Sequence, residues 1–273
     1  LNNMKAACVG IDILYPVLTS LYDTGCEIIK VFTCKTDNIT EFNTKTVSFA
    51  KEHNIPIQME RITQDDLYDL VAMGCDFVLV GGYYHVIPVI EELRIVNTHP
   101  AYLPLGRGAW PMPLTIIKGL TESGITMHRM TKGLDEGDII LREKIPVYPD
   151  TDNLITLTER QNTLIPAMVR QLVSDFDNLW DNATPQDNSI AEYWEMPEKE
   201  DYTVRDTDSF EKADLILRAF YSYECYYIDT KTGQEYELIG ATAHKGEPED
   251  AAGIQNFFSI EGGYISSPKA RCI

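Results

Sequence analysis

Nowhere among the 273 residues is there an apolar run near the roughly 18 to 20 residues needed to cross a bilayer. The opening segment, Leu1 to Val9, has neither a basic leader nor a long apolar core, so membrane insertion and secretion are not expected. Cysteine is sparse and scattered. Cys8, Cys26, Cys34, Cys75, Cys225 and Cys272 fall mostly inside apolar segments, with no pair at metal-ligand spacing. They read as reduced core thiols of a cytoplasmic protein, and no metal is expected. Positive charge is short as well: 23 basic residues face 42 acidic ones, a net charge of −19. A nucleic-acid binder needs a positive surface to neutralise phosphates, so the balance tilts against such a partner while leaving room for a local basic patch. Repeats and low-complexity tracts are also missing.

What is present is the composition of a packed globular protein, 44% hydrophobic and 10% aromatic, long enough for one large domain and a small one. The first part alternates strand and helix patterns. Lys5–Val9, Glu27–Phe32, Ile55–Gln58 and Asp76–Val80 read as strands, and Ile11–Thr24, Thr44–His53 and Asp65–Met73 as helices. Asp76–Val80 is nearly continuously apolar, as expected of a strand covered on both faces, and the alternation predicts a parallel α/β sheet. Arg94–Asn97 is a further strand that feeds a shaped loop, His99–Pro113, with four prolines and two glycines. Ile125–Met130 and Ile139–Val147 read as strands joined by the glycine-rich turn Lys132–Asp138. Thr151–Trp180 has the spacing of one long amphipathic helix. Residues 4–181 therefore form the large domain, the polar and acidic stretch 182–208 a linker, and 209–273 a small β-rich domain. Residues 183 to 273 hold 18 acidic and 8 basic side chains, so 18 − 8 leaves −10 of the −19 there.

Chemistry concentrates at the end of the fifth strand pattern. Asn97 and His99 lie two apart and so face one site, and strand carboxyl ends are where open α/β sheets bind ligands. Taken alone, such a pair is more often structural. Asp135, in the turn Gly133-Leu134-Asp135-Glu136-Gly137-Asp138, supplies a carboxylate that can orient an imidazole and accept protons. Thr126 and His128 share one face of the intervening strand. An amide donor, a histidine and an aspartate suit acyl transfer to an amine.

Three blocks carry a resemblance to a known family: Asn97-x-His99-Pro100-x-x-Leu103-Pro104-x-x-Arg107-Gly108, then Ser123-Gly124-Ile125-Thr126-x-His128-x-Met130, then Leu134-Asp135-x-Gly137-Asp138-Ile139. In order and spacing they resemble the folate-dependent formyltransferases. The resemblance implies a Rossmann-like, mostly parallel sheet, a triad of Asn97, His99 and Asp135, and 10-formyltetrahydrofolate as formyl donor. It aligns Asp135, not Asp138, with the family's carboxylate. It also implies that Gly82–Pro88 flanks the folate site, where Tyr84 and Ile87 either line the pterin pocket or pack in the core. Leu103, Pro104, Arg107 and Gly108 match the loop beside the donor, with a surface ion pair as the alternative for Arg107. Leu217–Phe220 and Gly240–Thr242 resemble the start of the second domain of the tRNA and amino-arabinose enzymes.

Departures flank the site. Ala101-Tyr102 stands where the family has Ser-Leu, Ala109–Pro113 is bulky, and Gly10–Leu14 replaces a small-residue loop. Tyr83, Tyr84, Tyr102 and Trp110 either stack on a nucleotide base or pack internally. Tyr221–Tyr227 is either a homodimer surface or small-domain core. His53 and His244 match nothing and read as surface residues. The expected acceptor is the amine of a nucleotide-linked amino sugar, with Asn97 and protonated His99 meeting the developing oxyanion and Asp135 holding His99 and taking the amine proton. The alternatives are methionyl-tRNA, water in a formate-releasing hydrolase, and a non-catalytic folate-binding protein.

Overall fold

The computed structural model describes residues 4–248 and 256–273. Leu1 to Asn3, the start of the segment read above for a leader, lie outside the described residues. In chain order the elements begin with β1 (Lys5–Gly10), α1 (Pro16–Asp23), β2 (Glu27–Phe32), α2 (Thr44–Glu52), β3 (Ile57–Gln58), α3 (Gln64–Ala72), β4 (Phe77–Gly81), β5 (Arg94–His99), β6 (Leu105–Arg107), α4 (Pro111–Ile117), β7 (Glu122–Arg129) and β8 (Ile139–Pro146). There follow α5 (Leu154–Asn162), α6 (Ile165–Ser174), α7 (Phe176–Asp181), β9 (Glu192–Tyr193), β10 (Thr203–Arg205), α8 (Phe210–Ala219), β11 (Glu224–Ile228), β12 (Glu235–Ile239), β13 (Thr242–Lys245), β14 (Phe257–Ile260), β15 (Gly263–Ser266) and β16 (Lys269–Cys272).

Two compact units result: Leu1–Gly108, Ser123–Ile145 and Arg160–Tyr193 form the first, and Ala109–Glu122, Pro146–Glu159 and Trp194–Ile273 the second. The first is built on a seven-stranded sheet in the order β3-β2-β1-β4-β5-β7-β8. β1 to β5 pair in parallel, and β7 runs antiparallel to β5. Every residue of β4 is buried, as its apolar run requires of a strand covered on both faces. On one face Phe77, Leu79, Val96, Ile125 and Met127 pack with Val17, Leu21, Val169 and Leu172 of α1 and α6. On the other, Val78, Val80 and Ile95 pack with Leu67, Leu70, Ile90 and Leu93. In the second unit β10-β11-β12-β16 and β13-β15-β14 form two sheets.

Several sequence-level expectations are corrected. The single helix over Thr151–Trp180 is three helices, because Pro166 fits only the first turn of a helix, and α6 starts there. The loop reading of His99–Pro113 misses α4, which opens with Pro111 and Pro113 in its first turn. At Gly240, whose φ is +69°, the chain leaves β12 in one sheet for β13 in another. Within the stretch 182–208, residues up to Tyr193 belong to the first unit and those from Trp194 to the second, and the stretch is not free of structure. It carries β9, which pairs in parallel with β6, and β10, which pairs with β11. Tyr227 is buried against Phe258, and half-buried Tyr223 packs on Trp110.

Phe77 is fully buried and stacks on Phe176 with ring centroids 4.4 Å apart. Phe77→Ala is expected to cost about 3 to 5 kcal/mol through lost burial and the cavity left behind. Urea unfolding followed by tryptophan fluorescence checks it, as a lower transition midpoint.

Candidate active site

β5 ends in Asn97-Thr98-His99, and its antiparallel register sets Asn97 opposite His128 and His99 opposite Thr126 of β7. The inverted strand therefore brings a second imidazole to the face that carries Asn97 and His99. The turn after β7 returns Asp135 to the same place. It is held at φ +52°, a left-handed conformation that a non-glycine residue adopts only at a cost. Two residues on, a Cβ at position 137 would lie 1.9 Å from the carbonyl oxygen of Arg129, so the turn closes onto β7 only with glycine there.

Four polar groups meet here, with Asn97 half-buried. His99, His128 and Asp135 are each less than a tenth exposed. Asn97 Nδ2 donates to Asp135 Oδ1 and to His128 Nε2, both at 3.2 Å. The Gly108 N–H donates to Asp135 Oδ2 at 3.0 Å, and His99 Nδ1 lies 3.7 Å from the same oxygen. His99 Nε2 sits 2.7 Å from the Gly106 carbonyl, which only accepts, so Nε2 carries the hydrogen. In the neutral ring Nδ1 is then the basic nitrogen, and it faces Asp135. His128 Nδ1 donates to the Arg129 carbonyl at 2.9 Å by the same reasoning, leaving Nε2 to accept from Asn97.

Burial, the largest influence on His99, pushes its imidazole below the ordinary value against the opposing pull of Asp135 and the Gly106 carbonyl. Burial alone would raise the Asp135 carboxyl. The imidazoles of His99 and His128 and the Gly108 N–H outweigh it and bring the carboxyl down to about 2. At neutral pH the cluster is a neutral base beside an ionised carboxylate. Both amide hydrogens of Asn97 are spent on Asp135 and His128.

The other named residues are placed as follows. Thr126 donates to the Ala101 carbonyl at 2.7 Å and accepts from the Leu103 N–H at 3.1 Å, so it pins the loop after His99. Leu103 is fully buried and Pro104 is buried, while Gly108 contributes its backbone N–H to Asp135. Ile87 packs in the core with Val80 and Ile90, whereas Tyr84 is exposed. Tyr102 lies under Arg142 and Lys144, with the cations 4.5 Å and 4.9 Å from its ring. Trp110 packs on Phe220 and Tyr223 in the second unit. Arg107 makes no surface ion pair: it is buried and donates to Gln186, Asn188 and Tyr193. Two residues the sequence reading passed over also bind this region. Gln161 donates to the Pro100 carbonyl at 2.8 Å, and Gln186 donates to the carbonyls of Asp135 and Gly137 at 2.8 Å each. Neither stands in a motif, since the first lies on a helix pattern and the second in a polar stretch. Among the described residues no group of three or more His, Cys, Asp and Glu is arranged to hold a metal ion, and no helix is long and apolar enough to cross a membrane.

A model of the formyl transferase family matches residues 19–173, more than half of the chain, and the chain belongs to that family. It is 28% identical over 241 residues to a methionyl-tRNA formyltransferase of Anaplasma marginale, covering 83% of this chain and 78% of that protein. Among solved structures, HypX from Aquifex aeolicus in complex with tetrahydrofolic acid aligns with a TM-score of 0.70 at 16% identity, over 99% of this chain and 44% of that one. The sugar 3N-formyl transferase WlaRD, solved with dTDP and 5-N-formyl-THF, aligns at 0.64 and 18% identity over 98% of each chain. These likenesses establish the fold.

The Asp135 carboxyl titrates lower in the folded chain than its ordinary 3.8. Its contribution to stability, roughly 2 kcal/mol, is therefore full above about pH 4 and lost as pH falls from about 4 to about 2. Following the Asp135 carboxyl carbon by NMR against pH is expected to give a midpoint near 2.

Proposed function

Given membership in the formyl transferase family, we propose that this chain transfers a formyl group from 10-formyltetrahydrofolate to a primary amine, and that the amine belongs to a nucleotide-linked amino sugar. The observation that carries the transfer is the buried cluster of neutral His99, ionised Asp135 and Asn97. When bound, 10-formyltetrahydrofolate supplies an activated formyl carbon on nitrogen. The residues fit such a donor: the chemistry needs a base, a charge to hold the base once protonated and an amide at the reacting oxygen, and no metal-ligand set is involved. The backbone of residues 82–88, with exposed Tyr84, and the loop 103–108 would hold the folate, while Ile87 and Leu103 give that wall its apolar backing.

His99 Nδ1 accepts the proton lost by the attacking amine and Asp135 stabilises the imidazolium so formed, which makes Asp135 a partner of the base. The same proton is then available to the departing folate nitrogen. Asn97 reaches the reacting oxygen by giving up one of its two resting bonds, and His128 keeps the amide oriented through the other.

The net charge of −19 supports a small acceptor, because an acidic surface repels a polyanion. One observation favours a second reading: the Anaplasma relative is named methionyl-tRNA formyltransferase. Tetrahydrofolate release with a panel of nucleotide-linked amino sugars, set against charged initiator methionyl-tRNA, separates the two. Turnover with a sugar alone is expected, and turnover with tRNA alone overturns the acceptor assignment.

His99→Ala and Asp135→Asn are each expected to reduce kcat by about 100- to 10,000-fold while the chain still folds. Near-normal turnover by either variant would sink the mechanism. Because burial lowers His99 below its ordinary value of about 6.5, kcat/KM holds its plateau down to about pH 6.5 and falls only as pH drops through the lowered value. A profile that declines already between pH 8 and 7 would contradict a neutral buried base.

A further inference from the structure

We propose that Gln186 is a positioning residue for the formyl transfer, clamping the turn that carries Asp135 and so fixing where its carboxylate stands. This rests on the role proposed for Asp135 above. The turn needs a clamp, since Asp135 sits in the left-handed region, which an aspartate leaves readily if nothing holds it.

Gln186 comes from the segment before β9, far along the chain from residue 135, and is buried. Its Nε2 donates to the Asp135 and Gly137 carbonyls, both at 2.8 Å, so both amide hydrogens are spent on the carbonyls of the residues on either side of Glu136. Its Oε1 accepts from Arg107 Nε at 3.0 Å. A guanidinium only donates, so this contact fixes which end of the carboxamide faces the turn. Arg107 in turn donates to Asn188 Oδ1 at 2.8 Å and Tyr193 Oη at 3.2 Å. Its partners are neutral and belong to one segment, and the pairing of Arg107 with Tyr193 in the β6–β9 ladder ties that segment down.

A ring closes through these bonds. The next residue after Arg107 is Gly108, whose N–H holds Asp135 Oδ2. The carboxylate is therefore held from one side by the Gly108 backbone, and the backbone of its own turn is held from the other by Gln186, with Arg107-Gly108 as the common anchor. The charged and titratable groups around the carboxylate are His99 from β5 and His128 from β7, and the neighbouring Glu136 carboxylate is turned toward the Tyr193 hydroxyl at 3.4 Å. Loss of the clamp lets Asp135 drift from His99 without removing any group that reacts.

The test compares Gln186→Met, which keeps the shape and removes both donors, with Gln186→Glu, which keeps the acceptor for Arg107 and therefore the fold while presenting oxygen to the two carbonyls. Both are expected to lower kcat about ten- to a hundredfold, with KM for the folate donor within about threefold of the parent, as displacement of a reacting group by about 1 Å does. Both are also expected to move the Asp135 NMR titration up from about 2 toward 3.8. An unchanged Asp135 titration in either folded variant overturns the proposal, whatever the rate does. If the parent chain fails to transfer formyl groups, the functional reading falls, and the titration still judges the clamp by itself.

Discussion

One buried negative charge organises the candidate site of the first unit. A carboxylate removed from water costs several kcal/mol unless groups around it replace its hydration. At Asp135 the groups come from distant parts of the chain: the Asn97 amide and the Gly108 N–H donate to the carboxylate, and the imidazoles of His99 and His128 stand beside it at 3.7 Å and 3.5 Å. Each is fixed for a structural reason of its own, Asn97 and His99 by strand alternation, His128 by cross-strand register, Gly108 by the loop that Thr126 pins. The same charge that is costly to bury makes a buried imidazole useful, because a neutral base gains most from an adjacent anion at the moment it takes a proton.

The sheet explains why these groups meet. Parallel strands β1, β4 and β5 end at one edge, where α/β sheets leave room for ligands. Had β7 also run parallel, the segment that follows it would begin at this edge but its strand could not set His128 against Asn97 and then turn straight back. Because β7 is antiparallel, its end and the turn after it lie beside the middle of β5, and Asp135 arrives a few residues later. Gly137, which lets the turn touch β7 at the Arg129 carbonyl, is therefore as much a part of the site as the residues with functional groups.

Much of this was legible before the fold was known. The alternation of apolar runs with helical spacing announced the parallel sheet, and Asn97, His99 and Asp135 stood in motifs that resemble the formyltransferases. What escaped was whatever depends on neighbours distant in sequence. The spacing predicts one long helix because Leu154 through Phe176 keep helical periodicity across two breaks, and spacing does not register the start of a new helix at Pro166. The stretch from 182 onward has the polar composition of a linker. Polarity there serves a different purpose: Gln186 and Asn188 are polar because they bond Arg107, and Gln186 also bonds the Asp135 turn. Aromatic residues were ambiguous for a similar reason. Trp110 and Tyr223 carry ring surface that suits a nucleotide base equally well, and only their contact with each other places them inside the second unit.

The acceptor is a separate problem from the reaction, and the two draw on different residues. Groups that stabilise charge at the formyl carbon serve any amine, so the cluster around Asp135 is neutral toward the choice between a sugar and a tRNA. Selection falls to surfaces the acceptor meets first, and there the excess of acid acts in a defined way. At physiological salt the field of a charge fades over about 8 Å, so a net charge slows the approach of a polyanion without deciding what a docked contact is worth. A tRNA could bind this chain only by finding several cations set close enough together to act within that distance. Beside the loop after His99, Arg142 and Lys144 lie against the Tyr102 ring, and Arg142 also bonds the Leu103 carbonyl. Arg142 therefore already helps hold the loop after His99.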